Sequence, residues 1–205
     1  MSLTDGDDDA GGKPPLDGRR QRTVDSRARI IGAMMQLAQS GQINLSAELV
    51  AEQANVGLRT VFRHFKDMDS LYREMSLAIE ARLRDEVSLA FVAADWRGRM
   101  RELVGRRAEV FEKITPFKRA EAAHRHRSRW LDQDAARLTK LLRQIMRDVL
   151  PTAVADDSTL FEALDLALSF EAWDRLRREQ GLEVVQARAV LDRVVDALLA
   201  DQDAA

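Results

Sequence analysis

Apolar residues recur at the spacing of one helical face along most of this chain. The first such pattern follows Asp25 and Ser26, either of which is a good N-cap, and Gly41 is the signal that ends it. Its apolar face consists of Ile30, Ile31, Met34, Leu37 and Ala38.

Two short helical patterns and a long one come next. Residues 47–54 and 58–65 each have inward apolar positions, and residues 55–57 form a tight turn between them. Asp67 then caps a long helix whose apolar stripe continues to Phe91.

The rest of the chain continues in helical patterns. Thr115 and Pro116 have the order of an N-cap followed by a first helical proline, which predicts a helix boundary at this point. A later stripe stops at Pro151, and Thr159 has capping-box spacing with Glu162. Since no stretch alternates as a strand does, the sequence predicts an all-α fold.

The predicted helix over residues 158–178, which Gly181 ends, is apolar on more than one side. Such a helix is buried nearly all round, either at the centre of the core or against another subunit. Paired with the last helix about a two-fold axis, it would form a four-helix bundle in a homodimer. The candidate interface residues are Leu160, Leu164, Leu168, Val190, Val194 and Leu198.

The composition is that of a globular protein, since 45% of the 205 residues are hydrophobic and 32% are charged. Cysteine is absent, which excludes disulfides and cysteine-based zinc sites. No run reaches the roughly 18 apolar residues of a membrane helix. Residues 1–18 are acidic and rich in glycine, without the apolar core of a signal peptide. We therefore expect a cytoplasmic protein with a disordered acidic tail over residues 1–18 and no membrane partner.

Charge is distributed unevenly along the chain. Residues 1–18 have a net charge of −4 and residues 19–66 one of +5, which leaves −3 for the remainder of a chain whose net charge is −2. A basic segment ahead of an acidic body suggests a module that binds a polyanion.

The segment from Ser46 to Phe65 carries the clearest chemistry. Two short helices joined by a three-residue turn are what a protein needs to read the major groove of DNA. The first helix braces the second, and the second presents Arg, Thr and His side chains to the bases and phosphates.

This segment resembles the DNA-binding region of the TetR family of bacterial regulators. The family pattern has a hydroxyl residue, then Ile/Val-Ala, Ala-Gly-Val-Ser, Thr-Leu-Tyr-x-His-Phe, and a Lys and a Leu that open the fourth helix. The matching residues are Ser46, Val50, Ala51, Ala54, Val56, Thr60, His64, Phe65 and Leu71.

Five positions depart from the family pattern. Asn55 replaces the turn glycine, and Asn is one of the few residues that accept a left-handed backbone. Gly57 replaces the capping serine. Phe62 and Met68 replace a tyrosine and a lysine that would contact phosphates, whereas Arg59 stands where a small residue is usual. The contacts with DNA are therefore expected to differ from the family norm.

The resemblance implies a helix-turn-helix DNA-binding domain over residues 19–70 and a helical ligand-binding and dimerisation domain over residues 71–205. It implies a homodimeric repressor of double-stranded operator DNA. The predicted DNA contacts are Ser46, Leu58, Arg59, Thr60, Phe62, Arg63, His64 and Lys66. A basic arm with Arg22, Arg27 and Arg29 either reaches nearby phosphates or a minor groove, or is a solvated run of charge.

The resemblance also implies a small apolar effector in the C-terminal domain that moves the helix from Asp67 and releases the DNA. The candidate pocket residues, each of which also suits an ordinary core, are Phe91, Met100, Val104, Phe111, Phe117, Trp130, Leu142 and Trp173.

Two alternatives stay open, a DNA-binding protein without an effector and an activator. A helical enzyme has little support, because the sequence has no glycine-rich phosphate loop, nucleophile elbow or catalytic triad. His124 and His126 are two residues apart and point to different sides of a helix, so we expect neither a metal site nor a cofactor.

Overall fold

The computed structural model describes residues 18–204, which fold into ten α-helices without a strand and so confirm the all-α prediction. A π-helical turn, Arg175–Glu179, follows the ninth helix, and a 3-10 helix, Ala200–Ala204, follows the tenth. The helices are α1 Gly18–Gln39, α2 Ala47–Gln53, α3 Leu58–His64, α4 Met68–Val87, α5 Trp96–Arg125, α6 Arg129–Val149, α7 Thr152–Asp156, α8 Ser158–Ala167, α9 Phe170–Asp174 and α10 Val184–Leu198.

The first helix is longer than its apolar pattern predicts, because it begins at Gly18 rather than near Asp25. The added turns are rich in Arg and Gln, which are good helix formers, so they need no buried face to be helical. The predicted basic arm is therefore part of a helix. The predicted tail over residues 1–18 lies outside the described residues except for its last glycine.

Helices α1, α2 and α3, with the start of α4, form the head of the molecule. Helix α1 contacts both α2 and α4, and α2 contacts α3. Ile30, Met34, Val50, Val61 and Phe65 are almost completely buried at their common centre. The apolar faces read from the sequence are thus the faces that pack together.

The later helices form the body around α5, the longest helix. Helix α5 contacts α4, α6, α9 and α10, and α10 also contacts α8. One continuous apolar core extends from the head into the body, where Phe111, Leu164 and Trp173 are fully buried. The head is therefore not separated from the body by a linker.

The helix boundary predicted at Thr115 and Pro116 is wrong, because both residues lie inside α5. Proline lacks the amide that would continue the helical hydrogen bonds. The Thr115 hydroxyl donates to the Phe111 carbonyl at 2.6 Å, so one carbonyl of this turn gains a second donor.

The single helix predicted over residues 158–178 is interrupted at Leu168 and Ser169. The buried Arg107 guanidinium donates to the Leu168 carbonyl at 2.9 Å and to the Leu142 carbonyl at 2.6 Å. The predicted capping box is also wrong, since the side chain of Asp157, not Thr159, accepts the capping hydrogen bond of α8. A buried guanidinium distant in the sequence therefore holds the chain at the break between α8 and α9.

Candidate nucleic-acid interface and cavity

The turn between α2 and α3 has the geometry that its residues predict. The Ser46 hydroxyl accepts a hydrogen bond from the Leu49 amide at 3.3 Å and caps α2. Asn55 has a left-handed backbone with φ of 52°, which a residue other than Gly or Asn adopts only at a cost. Gly57 caps α3 without a side-chain hydrogen bond. These three residues fix the entry of the chain into α3.

Helix α3 has one buried and one exposed face. Val61 and the following Phe65 face the core of the head. The opposite face exposes two large apolar side chains, Leu58 at 37% and Phe62 at 47%. Exposed cations lie among these apolar residues, namely Arg59, Arg63 and Lys66. A mixed surface of this kind offers charge to phosphates and apolar contact to thymine methyl groups or sugars.

Thr60 and His64 are half-buried at the border of this exposed face. The His64 Nε2 atom is buried and has no partner among the described residues. Burial lowers the pKa of His64, and the nearby Arg63 and Arg27 guanidinium groups lower it further. The imidazole is therefore neutral at pH 7, and any contact with a phosphate would be a hydrogen bond rather than an ion pair.

Arg27, predicted as part of a DNA-contacting arm, instead joins three helices. Its guanidinium donates to the His64 carbonyl at 2.9 Å, forms an ion pair with Glu74 at 2.8 Å, and lies 4.5 Å from the Phe65 ring centroid. Its side chain thus links α1 to the end of α3 and to α4. Arg22 and Arg29 are exposed on α1, where their predicted role stays a prediction.

Only three residues separate α3 from α4, and the start of α4 is capped by side-chain hydrogen bonds. The Asp67 carboxylate accepts a hydrogen bond from the Ser70 amide at 2.9 Å, and the Ser70 hydroxyl accepts one from the Asp67 amide at 3.1 Å. The hydrogen bond from the Ser70 amide is the main reason why the pKa of Asp67 is lowered. Movement of α4 would therefore be transmitted to α3 through a short connection.

A cavity of about 360 Å³ lies between α4, α5 and α6 in the body. Its walls are mainly apolar, and its volume is in the range of pockets for small organic ligands. The apolar wall residues include Ile79, Leu83, Val110, Phe111, Ile114, Phe117, Leu138, Leu142 and Ile145.

Three of the eight predicted pocket residues, Phe111, Phe117 and Leu142, line this cavity. The structure places the other five elsewhere: three in the buried core and two half-buried at its edge. These are Met100, Val104 and Trp173 in the core, and Phe91 and Trp130 at the edge. The Trp173 indole donates to Glu112 at 2.9 Å, and the Arg106 guanidinium lies 4.3 Å from the Phe91 ring centroid.

The contribution of α4 to the cavity wall was missed, although its stripe carried the signal. Ile79, Leu83 and Val87 follow one another at helical spacing, and sequence reasoning treated them as ordinary core. Exposure distinguishes only the outer end of this stripe from core, since Val87 is 43% exposed whereas Ile79 is buried. A sequence gives the face of a helix but not the gap between that face and its neighbours.

One end of the cavity is polar. The Ser76 hydroxyl donates to Glu121 at 2.6 Å, and the Lys118 ammonium donates to the other oxygen of the same carboxylate at 2.8 Å. Asp134 accepts hydrogen bonds from Arg137 at 2.8 and 3.0 Å. Burial raises the pKa of Asp134, and the nearby Glu121 raises it further.

The six predicted interface residues divide into two groups. Leu164 and Leu168 are fully buried inside the protomer, so they leave no surface for a partner. The other four are partly or largely exposed, namely Leu160, Val190, Val194 and Leu198. Leu166 of α8 and Val185 of α10 are more exposed still, at 73% and 79%.

None of the described helices is long and apolar enough to cross a membrane. Within residues 18–204, no group of three or more His, Cys, Asp or Glu side chains is arranged to hold a metal ion.

Comparison with known proteins agrees with this geometry. Residues 30–75 match the family model of bacterial regulatory proteins of the tetR family. No curated protein matches the sequence. The fold is similar to the crystal structure of a TetR transcriptional regulator from Rhodococcus sp. RHA1, with a TM-score of 0.53 and 18% identity over 88% of this chain and 98% of that one. At that identity the likeness extends to the fold alone, whereas the matched segment contains the whole of α2 and α3. Residues 30–75 therefore carry the segment that the tetR family of bacterial regulatory proteins shares, and the chain has the fold of a TetR transcriptional regulator.

Proposed function

We propose that this regulator is a repressor that binds operator DNA as a homodimer and is released when a small apolar effector fills the cavity between α4, α5 and α6. The observation that carries the proposal is the position of α4. Only three residues separate this helix from α3, and its later turns form one wall of the cavity.

The proposed contacts with DNA are made by the exposed face of α3. Arg59 and Arg63 are solvent-exposed and carry the bidentate donors that suit guanine or a phosphate. Lys66 lies just beyond the helix, and Leu58 and Phe62 supply apolar contact. Ser46, Thr60 and His64 lie at the border of this face, where they would set its register on the phosphates.

The proposed dimer pairs the outer faces of α8 and α10. These faces expose large apolar side chains, including Leu166, Val185, Val190 and Val194, to solvent in the single protomer. An isologous pairing about a two-fold axis would bury them. It would also place two α3 helices in successive major grooves, about 34–36 Å apart.

Release of the DNA would follow because α4 both lines the cavity and leads directly from α3. An effector shifts the equilibrium only as far as it binds the two states differently. A ligand that fits the cavity best when α4 has moved would change the separation of the two α3 helices. The cavity favours a regulator with an effector over one without. The choice of a repressor over an activator or an enzyme is carried over from the family resemblance.

The test is binding of the purified protein to its own upstream DNA over a range of salt concentrations. We expect specific binding whose affinity falls linearly on a logarithmic scale with salt, because phosphate contacts release counterions. An Arg59→Ala, Arg63→Ala double variant removes both exposed arginines of α3. We expect a loss of about 1–3 kcal/mol for each arginine that reads a base.

The matched control is an Arg82→Ala, Arg175→Ala double variant, which removes the same charge from exposed positions of the body. It is expected to bind as the wild type does, with two protomers at each operator. Equal, sequence-independent affinity in both double variants would contradict the assignment of α3 as the reading helix.

A further inference from the structure

The cavity is elongated, with its polar groups at one end. Each of its three helices contributes residues over the same length: Ser76 to Val87 on α4, Val110 to Glu121 on α5, and Asp134 to Ile145 on α6. Eleven residue steps correspond to about 16 Å of helix. Because consecutive helices run in opposite directions, Ser76, Glu121 and Asp134 lie together at one end.

The other end of the cavity is apolar and opens to solvent. Val87 and Leu141 at this end are 43% and 45% exposed, and Val110 and Ile145 are half-buried beside them. Arg84 and Ser88 also line this end, but both are exposed at the surface, so a ligand meets buried polar groups only at the inner end. This arrangement fits an elongated molecule with one polar head.

The deeply buried charges at the inner end are mainly negative. The side chains of Glu121 and Asp134 are 4% and 9% exposed, and the only comparably buried cation among the lining residues is Lys118 at 13%. Arg137 reaches Asp134 from a position that is 51% exposed, where water weakens its charge. Glu80, which pairs with Arg137, and Arg84 are also exposed.

We propose that the ligand of this cavity is an amphiphilic organic cation, whose apolar part lies along α4, α5 and α6 and whose ammonium group binds between Glu121 and Asp134. The proposal rests on the cavity being the effector site. An ammonium placed there would balance the second of two buried carboxylates that share one buried lysine. A carboxylate head would add a third negative charge, and an alcohol would leave the imbalance unchanged.

The raised pKa of Asp134 supports this choice of charge. Burial is the first cause, and repulsion by Glu121 is the second, only partly offset by Lys118. Burial beside Glu121 therefore disfavours ionisation of both carboxylates, which is the condition that a bound cation relieves.

The same head group would act on α4 directly. The Ser76 hydroxyl of α4 donates to Glu121 of α5 at 2.6 Å, and this buried hydrogen bond joins the two helices beside the polar end. An ammonium that donates to Glu121 would compete with Ser76 for the same carboxylate. Ligand binding would thus loosen a contact that holds α4 against α5, about 12 Å along the helix from its first residue.

The experiment uses three probes that share one apolar chain: decylammonium, decanol and decanoate. Calorimetric titration of the full-length protein measures the affinity of each probe, below the micelle-forming concentration of the two ions and below the solubility limit of decanol. We expect decylammonium to bind at least about tenfold more tightly than decanol, and decanoate to bind most weakly. Equal or tighter binding of decanol or decanoate would overturn the proposal, as would binding of none of the three.

Two variants locate the head group. Glu121→Gln and Asp134→Asn are each expected to weaken decylammonium about tenfold while leaving decanol affinity unchanged, which also shows that the cavity is intact. Glu109→Gln, which neutralises an exposed carboxylate of α5 outside the cavity, is expected to change neither. Unchanged decylammonium affinity in both cavity variants would overturn the placement of the ammonium.

Operator binding measured with the same probes separates this inference from the proposed function. Decylammonium binding without operator release would uphold the ligand class and contradict effector-driven release. Release by decanol as effective as release by decylammonium would uphold the effector site and overturn the ligand class.

Discussion

Helix α3 and the body use their arginines in opposite ways. On α3 the guanidinium groups of Arg59 and Arg63 are exposed on the surface. In the body, Arg107 is buried and donates to two carbonyls, and Arg143 pairs with Glu162 and Asp165 at 2.5 and 2.7 Å. Charge on α3 is thus available to a partner, whereas much of the charge in the body, like Arg27 in the head, holds helices together.

This difference explains why the two regions are recognisable to different degrees. The family model matches residues 30–75, which contain α2 and α3, while the likeness of the whole chain to a solved regulator has only 18% identity. The phosphate spacing of DNA is the same for every target, so a reading head is constrained in its sequence pattern. A cavity is fitted to one ligand, and many sequences fold into a helical bundle around it.

The largest loss of stability is expected on substitution of the buried Arg107 in the body. An Arg107→Met substitution keeps an unbranched apolar side chain but removes the donors to the Leu168 and Leu142 carbonyls. We expect the free energy of unfolding to fall by about 2–4 kcal/mol, because two buried carbonyls lose a partner. Urea denaturation followed by circular dichroism measures this loss.

Arg101→Met is the matched control, since Arg101 is 61% exposed on the same helix and pairs with Asp196 at the surface. Its expected effect is within about 0.5 kcal/mol. A similar loss in both variants would mean that burial of Arg107 does not stabilise the break between α8 and α9.

A smaller loss of stability is expected on substitution of Asn55 in the turn between α2 and α3, where the constraint is a backbone angle and not a buried charge. Asn55 is exposed and has φ of 52°, so replacing it changes conformational preference and little packing. Asn55→Ala is expected to reduce the free energy of unfolding by about 1 kcal/mol, because alanine disfavours the left-handed region. Asn55→Gly, which restores the usual family residue, is expected to cause no such loss.

Urea denaturation of the two variants provides the comparison. If alanine and glycine at position 55 gave the same stability, the left-handed turn would not constrain the placement of α3.

The sequence predicted the head well because its signals are local. Ser46 and Asp67 each cap the next helix by accepting a hydrogen bond from the amide three residues later. Asn55 adopts the left-handed backbone that its turn requires. Such features depend on neighbours in the chain, so they can be recognised from spacing alone. The exposed face of α3 follows once its buried face is known.

The body was predicted less well because its decisive contacts are distant in the sequence. Arg107 meets the Leu168 carbonyl 61 residues later, and the local signal at the break between α8 and α9 is a single residue, Ser169, whose hydroxyl caps α9. The local signal at Pro116 was misleading, since tertiary packing keeps α5 continuous through it. The cavity depends on the distances between three helices, which explains why only Phe111, Phe117 and Leu142 were correctly placed.

The smallest effect concerns the buried acid of the cavity. The pKa of Asp134 is raised in the folded protein, so this group contributes stability below its unfolded pKa near 3.8 and loses it as the pH rises through the higher folded value. Asp134→Asn keeps an oxygen acceptor for Arg137 but does not ionise. The stability of the variant relative to the wild type is therefore expected to increase as the pH is raised from about 3.8 toward neutrality. Denaturation curves of both proteins across this pH range give the difference in stability. A difference that stays flat or declines with pH would show that burial beside Glu121 does not disfavour ionisation of Asp134. An increase would instead locate in the body the uncompensated negative charge that a cationic ligand relieves, the counterpart of the positive surface that the head offers to DNA.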